Sequence, residues 1–169
     1  MRMRDADKVR PSLLDRLTDH APGASREGRE HRASSARAQR LSVMRDIGWL
    51  LNAQGIASAQ VIARFPEVAA SVLNFGFADL AGKSASNVDV GRIERLMSDA
   101  ISAFEPRIVP GTLRVRAMQS GDAAIQHNAL AFIVEADLHA HPVPERLYLR
   151  TELDLEAGKA KVFEGAMLR

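Results

Sequence analysis

The runs LAFIVEADL at residues 130–138 and LYLRTELDL at residues 147–155 decide the fold of this 169-residue chain. In each run apolar side chains occupy every second position and mostly polar ones lie between them. Successive side chains of a β-strand point to opposite faces, so a period of two predicts a strand with one buried face. Shorter runs at 113–117 and 159–164 repeat the pattern, and Glu156-Ala157-Gly158 predicts a tight turn before the last run. The sequence therefore predicts an antiparallel meander.

Two amphipathic helices are predicted ahead of these strands. Residues 27–54 form the first, because apolar residues between Leu41 and Leu51 recur every three or four positions. Residues 89–104 form the second, with Asn87 or Asp89 as the N-cap. Pro106 ends this helix, since proline disfavours the helical conformation of the residue before it. The predicted class is α+β, with N-terminal helices packed on a C-terminal three- to four-stranded antiparallel sheet.

The remaining segments suggest how the chain is divided. Residues 56–86 are predicted to be a loop-rich connection, whose apolar run from Val68 to Leu80 packs on the domain or offers a binding strip. Residues 1–35 are predicted to be an N-terminal extension, and residues 36–169 a single α+β domain. Within the extension, Leu13, Leu14 and Leu17 make a stripe too small for a core. That stripe is predicted to dock on its own domain or on a partner.

Composition excludes several classes of protein. The chain has no cysteine, which rules out disulfides and thiolate chemistry and suits a reducing compartment. It contains no apolar stretch of the roughly 18 residues that a membrane span requires. No apolar segment follows the charged first residues, so we expect no signal peptide and a cytoplasmic protein without direct membrane insertion.

The best candidate for a metal site is weak. His139 and His141, with Asp137 upstream, have the spacing of a metal site on an extended segment. The pair runs directly into a proline-rich turn, and no cluster of histidines supplies further ligands nearby. We interpret it as a polar strand end and predict neither a metal nor a cofactor.

Two other functions remain as alternatives. Glu105 follows an apolar helix and, with Glu135 or Asp137, gives the two carboxylates that a lysozyme-like peptidoglycan hydrolase requires. However, Arg107 lies two residues away, and a cation favours the ionised carboxylate rather than the general acid. Arginines between Arg26 and Arg45 suggest a basic helix for nucleic acid, but Lys plus Arg exceed Asp plus Glu by only 23 to 21. We therefore predict no nucleic-acid partner.

The junction between the second helix and the sheet holds the sequence Glu105-Pro106-Arg107. The two charged residues are two positions apart, so they can point the same way in an extended segment. The simple interpretation is a helix-end salt bridge, which contributes about 0–1 kcal/mol when exposed. The functional interpretation is a pair of charges offered to another protein, with Pro106 fixing its direction. Spacing alone favours the salt bridge.

Four segments in chain order resemble a known family. Residues 11–17, PSLLDRL, resemble the N-terminal motif of TssE-type proteins, and residues 42–52, SVMRDIGWLLN, resemble their first core helix. Residues 65–67, FPE, and residues 71–80, SVLNFGFADL, resemble the linking segment. Residues 101–108 carry a Glu-Pro-Arg signature shared with baseplate wedge proteins of contractile-tailed phages. The chain thus resembles the TssE-type baseplate subunit of a bacterial type VI secretion system, apart from an insertion-like stretch at 24–38.

This resemblance implies a fold historically called lysozyme-like, without an expectation of catalysis. It implies a cytoplasmic baseplate docked to the inner face of the cell envelope, with TssF- and TssG-type wedge subunits and contractile sheath subunits as partners. The protein's sheet would help to initiate sheath assembly by adding strands edge to edge. The predicted partner-binding residues are Glu105, Pro106, Arg107, Leu13, Leu14 and Leu17.

Overall fold

The computed structural model describes residues 12–18, 36–55, 58–77, 89–118, 129–140 and 143–165. These residues form four α-helices and four β-strands. The helices are α1 (Leu13–Leu17), α2 (Ala36–Asn52), α3 (Ala59–Arg64) and α4 (Val90–Phe104). The strands are β1 (Arg114–Ala117), β2 (Ala129–Leu138), β3 (Glu145–Asp154) and β4 (Lys159–Glu164). No helix in these ranges is long and apolar enough to cross a membrane.

The four strands form one antiparallel sheet in the order β1-β2-β3-β4. Phe132 of β2 pairs with Thr151 of β3, and Thr151 pairs with Val162 of β4. A turn at residues 155–158 joins β3 to β4, and Gly158 adopts a φ of 63° there. The predicted α+β class, the antiparallel meander and its last turn are confirmed.

One face of the sheet forms the core together with α2 and α4. Alternate residues of β2 and β3 are buried on this face, as their period of two predicted. Burial of each large apolar side chain contributes about 1.5–3 kcal/mol to folding. The main core residues are Phe132, Val134, Leu149 and Leu153 from the sheet and Val43, Ile47, Met97 and Ile101 from the helices.

The two long helices differ in how well their limits were predicted. Helix α4 begins after Asp89, whose carboxylate accepts a hydrogen bond of 3.0 Å from the backbone N–H of Arg92. It ends at Phe104, so the predicted span 89–104 is confirmed. Helix α2 runs from Ala36 to Asn52, within the predicted span 27–54. Residues 27–35 of that prediction lie outside the described residues.

The connection between α2 and α4 contains short helices. After α3, two 3₁₀ helices cover Pro66–Ala70 and Val72–Asn74. The segment then returns to the end of α2, where Phe77 donates a backbone hydrogen bond of 2.8 Å to Ala53 and buries its ring. Most of the other large apolar side chains of this segment are exposed. Residues 56, 57 and 78–86 of the predicted connection lie outside the described residues.

Gly76 lies where this connection meets the end of α2. Its close contact with the backbone there allows a test of the junction. Its φ is +148°, and an added Cβ would lie 2.4 Å from the backbone nitrogen of Gly55. Gly76→Ala should therefore destabilise the fold by more than the roughly 1–2 kcal/mol expected for an unfavourable positive φ alone. Gly111→Ala is the control, because Gly111 has a φ of +80° and no atom within 4 Å of its added Cβ. Equal losses of unfolding free energy in urea would contradict this role of Gly76.

Candidate partner-binding site

Helix α4 ends at a carboxylate that is almost completely buried. Glu105 is 4% exposed, and its backbone N–H donates a hydrogen bond of 2.9 Å to Ile101. Arg107 binds both oxygens of this carboxylate, through Nε to Oε1 at 2.7 Å and through Nη2 to Oε2 at 2.5 Å. Pro106 lies exposed between the two charged residues. The pair is thus closed within the chain, in the two-pronged geometry that strengthens an arginine–carboxylate contact.

Arg107 also connects this corner to helix α2. Its Nη1 donates to Ser42 Oγ at 2.9 Å, and its Nη2 donates to Asp46 Oδ2 at 2.6 Å. Burial on its own lowers the pKa of Arg107, but the carboxylates of Glu105 and Asp46 outweigh it and raise the pKa. The main chain of Arg107 joins the sheet, because its carbonyl accepts a hydrogen bond of 2.8 Å from His139.

The short N-terminal helix α1 reaches the same region of α2 through polar groups. Ser12 caps the helix, and its Oγ accepts a hydrogen bond of 3.2 Å from the Asp15 backbone. The Asp15 carboxylate accepts hydrogen bonds from Ser12 at 2.6 Å and Ser42 at 2.9 Å, and it forms an ion pair with Arg45. Ser42 therefore touches both the α1 carboxylate and the guanidinium of Arg107.

The apolar side of α1 faces outward. Leu13, Leu14 and Leu17 are 69%, 42% and 74% exposed, and no residue of this helix is buried. Helices on the surface of a domain normally bury their apolar stripe and expose their polar side. The orientation of α1 is the reverse, so its three leucines form an exposed apolar surface.

An apolar groove lies between α1 and the end of α4. It has a volume of about 320 Å³ and is lined by residues that include Leu14, Trp49, Phe75, Phe104 and Pro106. The rings of Phe75 and Phe104 meet edge to face at 5.4 Å. The Glu105–Arg107 pair and Asp46 contribute the polar part of the lining. Of the predicted contact residues, Leu14 lines this groove together with Glu105, Pro106 and Arg107, whereas Leu13 and Leu17 lie outside its lining.

Sequence reasoning missed the residues of α2 that join these elements. Ser42, Arg45 and Asp46 lie three and one positions apart, so they share one side of the helix. Arg45 belongs to the predicted basic helix, yet it binds Asp15 and also Asp46, the latter through Nε at 2.9 Å. The only sequence signal for these contacts is that the polar residues Ser42 and Asp46 lie beside the apolar stripe of α2. Their partners are more than 25 residues away in sequence, so no local pattern identifies them.

The other candidate residues form separate pairs on the sheet. Arg146 binds Asp137 at 3.0 Å and Glu135 at 3.2 Å. Tyr148 donates a hydrogen bond of 2.8 Å to Glu135, and this bond raises the pKa of the tyrosine. Among the described residues no group of three His, Cys, Asp or Glu side chains could hold a metal ion. His141 lies outside the described residues, as does part of the predicted basic segment, residues 26–35.

The described arginines of that basic segment are partly neutralised. Arg40 forms ion pairs with Glu145 and Glu164, and Arg45 forms ion pairs with Asp15 and Asp46. Arg37 is exposed. A phosphate-binding helix needs several cations available to solvent, and the pairing of Arg40 and Arg45 reduces their number.

Exposed apolar surface of this kind is typical of proteins that contact other proteins. In this chain the exposed leucines and the groove provide that surface, while the adjoining charges bind one another. The family model for baseplate wedge protein gp25 matches residues 37–143, which is more than half of the chain. The chain belongs to the baseplate wedge protein gp25 family, and the predicted relationship is confirmed. No curated protein and no solved structure matches the chain.

Family membership gives the chain a structural role in a phage-tail-like baseplate and implies assembly with other baseplate subunits. The match begins at Arg37, near the start of α2, and includes α4 and the Glu105–Arg107 pair. Helix α1 lies before the matched residues. The family match therefore does not include the docking of α1 on α2, which is seen in the structure.

The ion pair at Asp15 predicts an acid-sensitive α1. Burial on its own raises the pKa of Asp15, but hydrogen bonds from Arg45, Ser12 and Ser42 outweigh it and lower the pKa from 3.8 to about 2. Since the folded pKa is below the unfolded one, the ionised carboxylate stabilises docked α1 above about pH 4, and this contribution is lost towards about pH 2. NMR titration of the Asp15 carboxyl measures the shift. A midpoint near 3.8 in the wild type would contradict the contact, and Arg45→Met should move the midpoint upward.

The buried Glu105 predicts a strong dependence of stability on Arg107. Arg107→Met leaves the carboxylates of Glu105 and Asp46 without their shared cation, and we expect a loss of about 3 kcal/mol of unfolding free energy. Arg146→Met is the matched control, because Arg146 also binds two carboxylates but its side chain is half exposed. The control should change stability little. Urea denaturation of the two variants distinguishes them, and similar losses would show that the burial of Glu105 does not increase the stability contributed by its ion pair.

Proposed function

We propose that the protein is a wedge component of the baseplate of a type VI secretion system, which links the wedge to the contractile sheath and helps to initiate sheath assembly. The proposed location is the cytoplasmic baseplate, docked to the inner face of the cell envelope. The match to the baseplate wedge family carries the proposal. The order of the four motifs shared with TssE-type proteins supports the secretion system over a phage tail.

The wedge contact is proposed to lie on the groove between α1 and the end of α4, with TssF- and TssG-type subunits as the partners. Pro106 and the three α1 leucines are the exposed residues that these subunits would touch. Glu105 is nearly inaccessible, so its proposed role is to fix the direction of Arg107, whose side chain is 25% exposed. A groove that is mostly apolar suits the apolar face of a partner helix.

The sheath contact is proposed to use the free edge of β4. The side-chain amide of Asn52 occupies one position of this edge, with hydrogen bonds of 3.0 Å from Ala160 N–H and 2.8 Å to Ala160 C=O. Backbone groups of alternate residues point to the same side of an antiparallel strand, so those of Val162 and Glu164 also point to the free edge. These groups would pair with a strand from a sheath subunit. At the other edge, β1 is only four residues long, and Glu94 already accepts the Ala117 N–H at 2.6 Å.

The hydrolase alternative is supported less well by the geometry. Both oxygens of Glu105 accept hydrogen bonds from Arg107, and the residue is only 4% exposed. A general acid must instead have a free oxygen that reaches the glycosidic oxygen. Glu135 and Asp137 are bound by Arg146 on the sheet. Turnover of purified peptidoglycan that is lost in Glu105→Gln would revive this alternative.

Co-expression pull-down with the TssF- and TssG-type proteins tests the wedge contact. Leu13→Ser with Leu17→Ser should weaken capture by about tenfold or more, because exposed apolar anchors commonly dominate an interface. The same change should leave the melting temperature of the free protein almost unaltered, since both side chains are already largely exposed. Leu73→Ser is the control, because Leu73 is a 64% exposed leucine that lies in the connection between α2 and α4 and not on α1.

The outcomes separate contact from folding. Capture by the wild type and the Leu73 variant, with loss in the double serine variant, supports the proposal. Unchanged capture by the double serine variant would remove α1 from the contact, and no capture by the wild type would overturn the wedge assignment. Glu105→Ala with Arg107→Ala should also lose capture. That variant is informative only alongside its unfolding free energy, because both residues stabilise the corner.

A further inference from the structure

Helix α1 has little apolar contact with the other described residues. None of its five residues is buried, Leu13 and Leu17 are largely exposed, and Leu14 is 42% exposed and lines the groove. A helix of this length is not stable in isolation, because the free energy of nucleation exceeds what a single turn contributes. The polar contacts of Ser12 and Asp15 with α2 are therefore its main attachment among the described residues.

Arg45 makes the central contact in this attachment. Its Nη1 binds Asp15 Oδ1, its Nη2 donates to Ser42 Oγ at 3.2 Å, and its Nε donates to Asp46 Oδ1 at 2.9 Å. The same guanidinium lies 5.0 Å from the ring centre of Trp49, which is 52% exposed and lines the groove. One side chain thus touches the helix, its support and the groove wall.

The contacts continue from Arg45 to the end of α4. Asp46 accepts from Arg45 through Oδ1 and from Arg107 through Oδ2, the latter at 2.6 Å. Opposite charges therefore alternate from Asp15 through Arg45, Asp46 and Arg107 to Glu105. Residues in one ionic network show interaction energies in double-mutant cycles. A substitution at one end therefore changes the free-energy effect of a substitution at the other end.

We propose that Arg45 is a positioning residue that fixes α1 with its leucines outward, so that α1 and the groove beside Pro106 form one continuous surface for the apolar face of a single partner helix. The inference rests on the proposed wedge contact for its functional meaning. The attachment of α1 by Arg45 is a property of the free protein and can be measured without a partner. The charges of the network largely cancel one another. This surface therefore suits an apolar face of a partner helix better than a charged face.

The geometry requires arginine at this position. The planar guanidinium presents several N–H donors in fixed directions, so it binds Asp15, Ser42 and Asp46 together. A lysine would carry the same charge on a single nitrogen and lose the simultaneous contacts. Arg45→Lys should therefore fall between the wild type and Arg45→Met.

The first measurement uses the free protein. Arg45→Met should abolish the hydrogen-exchange protection of the α1 amides that bond within the helix, those of Arg16 and Thr18. Arg40→Met is the matched control, since Arg40 is also on α2, is also 31% exposed and also binds two carboxylates. The control should leave α1 protection unchanged. Undiminished protection in Arg45→Met would overturn the inference, whatever the partner measurements give.

The second measurement is the affinity for the TssF- and TssG-type subunits. Arg45→Met should weaken binding by the same factor as Leu13→Ser with Leu17→Ser, and combining the three changes should weaken it no further. Additive losses would overturn the claim that Arg45 acts through α1. If the wild type does not bind these subunits, the proposed function is overturned, while the exchange measurement still decides whether Arg45 positions α1. Rescue of part of the affinity in Arg45→Lys would distinguish positioning from general destabilisation.

Discussion

The structure depends on one guanidinium placed where α4, α2 and the sheet meet. Arg107 binds the carboxylate at the end of α4, the hydroxyl and carboxylate of α2, and, through its carbonyl, the end of β2. An ion pair with a buried partner adds little net stability relative to apolar packing, but removal of one partner is costly. Its main effect here is therefore geometric, since it fixes the direction in which the chain leaves the helix and presents Pro106.

The same corner explains why a small domain exposes so much apolar surface. Polar groups of α1 are used to attach it to α2, and its leucines are left without a partner within the described residues. Trp49 and Phe75 extend this surface along the groove. Exposed apolar surface costs free energy in water, and contiguous patches of it commonly mark interaction sites. The family implies assembly with other baseplate subunits, and the exposure of this surface in the single chain is consistent with that.

The two edge strands of the sheet, β1 and β4, bind side chains from different helices. Glu94 of α4 accepts a backbone N–H of β1, and Asn52 of α2 imitates a neighbouring strand at one residue of β4. Both contacts reduce the number of unpaired backbone groups, which otherwise invite aggregation. Among the described strands, β4 with six residues is the longer edge strand and β1 with four the shorter. Side chains from α2 and α4 thus pair some of the backbone groups at each edge.

The sequence by itself determined the class, the strands and the second long helix, because these depend on the periods of local patterns. The strands at 130–138 and 147–155 and the helix at 89–104 agree with the structure to within two residues. The mutual contact of Glu105 and Arg107 could also be anticipated, since the two are only two positions apart. Only the tertiary structure decided that this pair faces inward to Ser42 and Asp46, which lie more than 60 residues away in sequence. It alone also turned the α1 leucines outward, because Arg45 and Asp15 meet only when α1 has docked on α2, and no local pattern encodes that contact.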